Sequence, residues 1–327
     1  MTVAQFQDVD WGTHQEWVWR GQRCHWRHMG DHNHPSLVLL HGFATGSGHW
    51  RGNAAVLASA GWSVYGLDLI GFGGSEQPGA FRLDNRLWAS QVQAFLEEVV
   101  REPAVLVGHS LGGLVALTCG VFHPQLVVAL IAAPLPDPAL LKVASTDPES
   151  HHCRRSPWRR IIKRVMVRLL CRLLPLEVFI PLLVHSPLLD LAIQTAYWHP
   201  VMGDGELRRI IARPARQVGA IGALRAMSTA MALRPYRATA PSLLRRLRHP
   251  MLLIWGEQDV LVPLEVGWQC QRFRRDVPVV VIDGAGHCPH DEKSELFNGE
   301  VIAWLANLSI HAQDSPRQTN GPHERVP

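Results

Sequence analysis

The strongest constraint on this chain is a recurring order of short, predominantly apolar runs separated by segments of helical period. Leu37 to Leu40, Ser63 to Leu69, Ala104 to Val107, Val127 to Ala132, Met251 to Trp255 and Pro278 to Ile282 are such runs. A strand covered on both faces reads as a continuous apolar stretch rather than an alternating one. Helix-compatible segments lie between or after them at Asn53 to Ala60, Asn85 to Val100, Leu111 to Phe122, Leu264 to Phe273 and about Ser294 to Leu308. Such alternation predicts an α/β fold, a mostly parallel central sheet flanked by helices. An opening hairpin, Trp17 to Arg27 with Gly21 at its turn, precedes the series.

The alternation is interrupted once. Past Asp137 the strand signal stops, and helical periodicity with many basic side chains and several prolines takes over. The expected organisation is a core of residues 1–136 and 241–309, a helical lid insertion at 137–240, and a polar, disordered tail at 310–327. With 327 residues, one α/β body and one sizeable insertion account for the length. Hydrophobic residues at 47% against 18% charged supply a packed interior and exclude a disordered chain.

Cys24, Cys119, Cys153, Cys171, Cys270 and Cys288 form no C-x-x-C pair, so reduced thiols are expected rather than a disulfide framework or thiolate zinc site. Met1 to Asp10 lacks the basic and apolar regions of a secretory signal, and no apolar stretch approaches a membrane span. The expectation is a cytoplasmic protein, at most peripheral to an internal membrane. His32 with His34, and His151 and His152 with Cys153, invite a metal, yet no H-E-x-x-H or comparable ligand set is present. Neither metal nor cofactor is expected.

Chemistry concentrates where strands end. Gly108-His109-Ser110-Leu111-Gly112 matches G-x-S-x-G between an apolar strand and a helix. There a serine in a strained turn points its hydroxyl off the sheet, and flanking glycines remove Cβ atoms that would collide with neighbouring backbone. The Leu111 N–H, at a helix start, faces the place where negative charge would form. His41-Gly42-Phe43 ends the first buried strand and can offer the Phe43 N–H as a second donor. An orienting acid is expected after a later strand. Asp259 in Trp255-Gly256-Glu257-Gln258-Asp259 is the first choice, with Glu257 and Asp137 as alternatives. The base comes last: His287 follows Gly284-Ala285-Gly286, with His290 as its near rival. Serine, acid, histidine is the chain order such sites take in α/β folds.

With Asp68-Leu69-Ile70-Gly71-Phe72-Gly73-Gly74-Ser75, these motifs resemble the α/β-hydrolase superfamily over residues 14 to 308. The resemblance implies an α/β-hydrolase fold, a Ser110-His287-Asp259 triad and attack on a carboxylic ester through an acyl-enzyme. Haloalkane dehalogenases and epoxide hydrolases of this fold carry an aspartate where this chain has Ser110, which argues against carboxylate-nucleophile chemistry here. Ala285-Gly286-His287-Cys288-Pro289-His290-Asp291-Glu292 is similar to the histidine loop of pheophytinase-like hydrolases of plants and cyanobacteria. That narrower likeness implies a small-molecule lipophilic ester, such as a phytyl ester of a chlorophyll derivative. The competing class is a hydrolase-fold ligand receptor or interaction protein with little turnover.

Net charge is only +4, but eight Arg or Lys residues fall between Arg154 and Arg172 without an acid. From Arg155 to Leu174, basic residues recur about every four positions while Ile161, Val165, Leu169 and Leu173 fill the other side. This spacing predicts a basic amphipathic helix that packs as a lid or contacts a membrane surface. No nucleic-acid motif accompanies the charge, so no nucleic-acid partner is expected.

Overall fold

The computed structural model describes residues 10–141 and 157–314. Residues 310–314 of the expected 310–327 tail continue the last helix, whereas 315–327 and the His151, His152 and Cys153 group lie outside the described residues.

Eight strands form one sheet in the order β1-β2-β4-β3-β5-β6-β7-β8. The hairpin strands β1 (Thr13–Trp19) and β2 (Gln22–Met29) pair antiparallel, and β2 runs antiparallel to β4 (Ser63–Leu67). Every later pairing is parallel, through β3 (Ser36–Leu40), β5 (Ala104–His109), β6 (Val127–Ala133), β7 (Met251–Gly256) and β8 (Val279–Ile282). Parallel strands carry their carboxyl ends to one edge, where open α/β sheets bind ligands.

Alternate residues of β3 explain the continuous apolar run. Leu37 and Leu39 join Trp50, Ile131 and Phe297 on one face, whereas Val38 and Leu40 join Trp88, Phe95 and Leu114 on the other. Flanking helices include α1 (Ala54–Ser59), α2 (Asn85–Phe95) and α3 (Leu111–Phe122). Between β6 and β7 the chain forms α4 (Pro138–Leu141), α5 (Pro157–Leu173), α6 (Leu176–Val184), α7 (Leu188–Gln194), α8 (Gly205–Ala215), α9 (Ala220–Ala232) and α10 (Ala240–Leu244). After β7 come α11 (Leu264–Gln271), α12 (Pro289–Glu292) and α13 (Ser294–Asp314).

The clearest differences from the sequence reading fall at Asp68 and around the last helix. The strand from Ser63 stops at Leu67 because Asp68 turns to bind the Ser47 and Gly74 amides. The helix expected from Asn85 to Val100 spans that whole range, its last turn, Leu96–Val100, being a π turn that ends where Arg101 takes φ 64°. The last helix runs on to Asp314, and α12, hidden in a Pro-containing loop sequence, was not expected.

Candidate active site

Ser110 stands between β5 and α3 at φ 50° and ψ −113°, a conformation costing a non-glycine residue about 1–3 kcal/mol. Close approach on both sides holds it there. A Cβ on Gly108 would lie 2.3 Å from the Gly112 carbonyl carbon, and one on Gly112 would lie 2.1 Å from the Leu40 oxygen. The glycines thus let α3 start directly above β5 and beside the end of β3.

Three sequence-predicted residues meet at this edge. Ser110 Oγ is 3.0 Å from His287 Nε2, and His287 Nδ1 is 2.8 Å from Asp259 Oδ2. The other Asp259 oxygen accepts the Leu261 and Val262 N–H groups at 2.9 and 2.8 Å, which sets the carboxylate in its loop. All three side chains are buried. With the Nδ1 proton donated to Asp259, Nε2 is left to accept from the serine hydroxyl. The arrangement is chemically that of a base-activated hydroxyl nucleophile with an orienting acid.

The alternatives sit elsewhere. Asp137 accepts from Arg234 Nη2, the Ala139 N–H and the Ala240 N–H, at 2.7, 2.9 and 2.7 Å, clamping the points where the insertion leaves and rejoins the core. Glu257 is exposed beside β7. His290 is buried with Nε2 3.4 Å from His49 Nδ1.

The loop after β3 is braced by His41. Its Nδ1 donates to the Gly42 carbonyl at 2.8 Å and its Nε2 accepts the Leu69 N–H at 3.0 Å. Burial holds this imidazole below its ordinary pKa, with Asp68 partly offsetting, so the neutral form suits both bonds. Among the described residues, neither the Phe43 nor the Leu111 N–H has a backbone acceptor, which leaves both amides available to a ligand oxygen.

Sequence reasoning missed how firmly the insertion is joined to the histidine loop. The His287 N–H donates to Ala196 O at 2.8 Å. Glu292 accepts from the Gly286, Trp198 and His199 amides at 2.7, 2.7 and 3.1 Å. Tyr197 Oη lies 2.9 Å from Asp291 and 2.7 Å from His49 Nε2, and Arg51 binds both Asp291 and Asp204. Cys288 packs within the insertion's own apolar cluster with Val184, Leu189 and Tyr197. Burial raises the Glu292 pKa, the three amides working against it, while burial against Asp291 pushes Tyr197 well up. The signal was present as two consecutive acids, Asp291 and Glu292, directly after the histidine loop, because acids that become buried need partners.

His49, His109 and His290 place nitrogens within 4.8 Å of one another and are the described residues closest to a metal-ligating group. Burial, with repulsion among the rings, pulls His109 and His290 well below the usual histidine range and His49 to about 4. His109 Nε2 donates to the His287 carbonyl at 3.0 Å, and His49 engages Tyr197 and His290. These rings pack together beside Ser110, with the Nδ1 atoms of His109 and His290 buried and without a hydrogen-bond partner.

An apolar cavity of about 760 Å³, open solvent included, begins at Phe43 and runs under the insertion. Phe72 and Leu83 line it from the core, and Ile180, Leu183 and Met227 from the insertion; Gln77 is its one polar side chain. That side chain is already tied to Pro214 O and Gln217.

Comparison with known proteins agrees with this architecture. "Uncharacterized hydrolase YugF" of Bacillus subtilis (strain 168) is 25% identical, across 87% of this chain and 95% of its own length. Chloroplastic pheophytinase of Arabidopsis thaliana is 26% identical, across 90% and 67%. Epoxide hydrolase 4 of Mus musculus is 22% identical, across 87% and 77%. A solved bacterial membrane phospholipase A superposes with a TM-score of 0.67 at 22% identity, covering 91% of this chain and 86% of its own. The model of the alpha/beta hydrolase family matches residues 37–300, and the chain belongs to that family.

Proposed function

We propose that this hydrolase cleaves a carboxylic ester carrying a long apolar group, with Ser110, His287 and Asp259 as its triad. The observation that carries the reading is the 3.0 Å Ser110–His287 contact, together with Phe43, the proposed oxyanion donor, lining a cavity with almost no polar side chains. Ser110 Oγ attacks the ester carbonyl while His287 Nε2 takes the hydroxyl proton. The Phe43 and Leu111 N–H groups receive the oxyanion. Collapse expels the alcohol, which takes the proton from His287, and leaves an acyl-serine. Water attacks next, giving its proton to His287, and the acid leaves as Ser110 is reprotonated. Asp259 stabilises the imidazolium in both halves.

The insertion acts as a lid that supplies the far wall of the cavity. Long acyl or alcohol groups match that lining, and a phytyl ester of a chlorophyll derivative belongs to this class. Similar proteins named pheophytinase and membrane phospholipase A are consistent with lipophilic substrates. The likeness to epoxide hydrolase 4 is one of fold, since Ser110 occupies the nucleophile position.

A fluorophosphonate probe and a series of p-nitrophenyl esters of rising chain length test the reading. Wild type should label, lose labelling in Ser110→Ala, and prefer longer chains; Ser110→Ala should lose at least about a thousandfold in kcat. A Ser110→Ala variant that turns over, or a folded wild type that neither labels nor turns over, would overturn it, the latter in favour of a ligand receptor.

A further inference from the structure

The described part of the insertion carries apolar side chains on its outer surface as well as toward the cavity. On α6, Ile180, Leu183 and Val184 line the cavity. At 100° per residue, Val178 and Leu182 fall on the opposite side of that helix, and they are 66% and 60% exposed. The last turns of α5 show the same pattern. Val167 and Cys171 are half-buried, while Met166, Leu170 and Leu173 form an exposed arc, Leu170 at 63% and Leu173 at 68%. Arg225 of α9 ties the two helices together by binding both Leu174 O and Glu177. On α7, Leu188 and Leu191 are exposed as well.

Charge says what covers this surface. Arg168 and Arg172 lie beside the α5 arc, exposed and without a carboxylate partner among the described residues. The acids of α6 and α7 are both neutralised, Glu177 by Arg225 and Asp190 by Arg208. An apolar arc edged by free guanidinium groups, with no free carboxylate on α6 or α7, complements a layer of anionic headgroups over hydrocarbon. No single described helix is long and apolar enough to cross a bilayer, and α6 and α7, which pass together by composition, are bent by 86°. That bend suits helices lying in an interface.

We infer that the outer face of α5, α6 and α7 docks on the surface of an anionic lipid bilayer, seating the cavity's insertion wall against the membrane. The docking surface is independent of turnover. Only its use for substrate delivery rests on the ester reading. Leucines facing lipid supply apolar burial, and the arginines add an attraction that salt screens.

Vesicle flotation of the full chain tests this, with phosphatidylcholine vesicles against equal mixtures with phosphatidylglycerol, at low and high salt. Wild type and Ser110→Ala should both float with the anionic vesicles, less at high salt. Arg168→Gln with Arg172→Gln should weaken partitioning roughly thirtyfold. Leu170→Glu with Leu182→Glu should abolish it, leaving hydrolysis of a short soluble ester within about twofold of wild type as the check on folding. Wild type that stays unbound under every condition, or a Leu170→Glu/Leu182→Glu variant that floats as wild type does, would overturn the inference. So would a wild-type dimer that this variant dissolves with no vesicle binding by either, which would assign the face to a second copy. Flotation of Ser110→Ala alongside an inactive wild type would remove the ester reading and leave the docking surface standing.

Discussion

Glu292 is where catalysis and the insertion should prove inseparable. Its carboxylate accepts three backbone amides, two from the insertion and one from Gly286 beside His287, the proposed base. Glu292→Ala strands all three. A buried unsatisfied amide costs about 1–3 kcal/mol, and since this side chain is only partly buried we take the lower figure, about 3 kcal/mol in total. For a chain of this size that corresponds to roughly 4 °C in Tm. His287 should also lose register, because its own N–H is held by Ala196 in the same insertion segment. A displacement of about 1 Å costs on the order of a hundredfold in rate. Glu292→Gln keeps one carbonyl oxygen for the Trp198 and His199 amides and turns an NH2 toward Gly286, so it should fall between wild type and alanine in both measures. Thermal unfolding and the kcat–KM split on a short soluble ester are the assays, with kcat falling and KM nearly constant. Alanine at 292 with Tm within 1 °C and kcat within twofold of wild type, as roughly estimated limits of detection, would refute the coupling.

Two further expectations concern the buried ionisable groups. Asp259→Asn should lower kcat by about ten-thousandfold with little change in stability, whereas Asp137→Asn should leave kcat within a few fold and cost about 3 kcal/mol of unfolding free energy by leaving Arg234 unpaired. Urea melts and steady-state rates separate them, and a reversed pattern would move the acid to Asp137. Stability should also fall with acidification from about pH 6.5 to pH 4. The buried His49 protonates only at about 4 in the folded protein. Unfolded, it takes its proton near the ordinary value of about 6.5, so below that pH the unfolded chain binds more protons and is favoured, by up to about 3 kcal/mol. The low-lying His109 and His290 act in the same direction. Chemical melts at pH 7, 5.5 and 4.5 read the slope, and a flat profile would contradict burial of neutral rings.

Strands, helices and the elbow were legible because their signals are local. Leu37 to Leu40 is apolar on both sides of its pleat, and β3 is indeed covered on both faces. Where a local rule met a tertiary contact the contact prevailed, as at Leu67, where Asp68 leaves the strand to hold two amides. The α5 pattern showed the same division. Its period was readable, but which side turns inward was not, because an amphipathic helix can bury its apolar side or present it.

The chain alone determined the α/β alternation, the single interruption after Asp137 and the types of residue able to do chemistry at strand ends, since each depends on neighbours a few positions away. Only the tertiary structure brings Asp259 and His287, rather than Asp137, Glu257 or His290, into hydrogen-bonding reach of one another and of Ser110. Such contacts join residues across long stretches of sequence, as Ser110 with His287 does. It alone also showed that the insertion and the histidine loop share hydrogen bonds and an apolar cluster. A buried acid such as Glu292 advertises that it needs partners, but which amides reach it is set by how the whole chain packs.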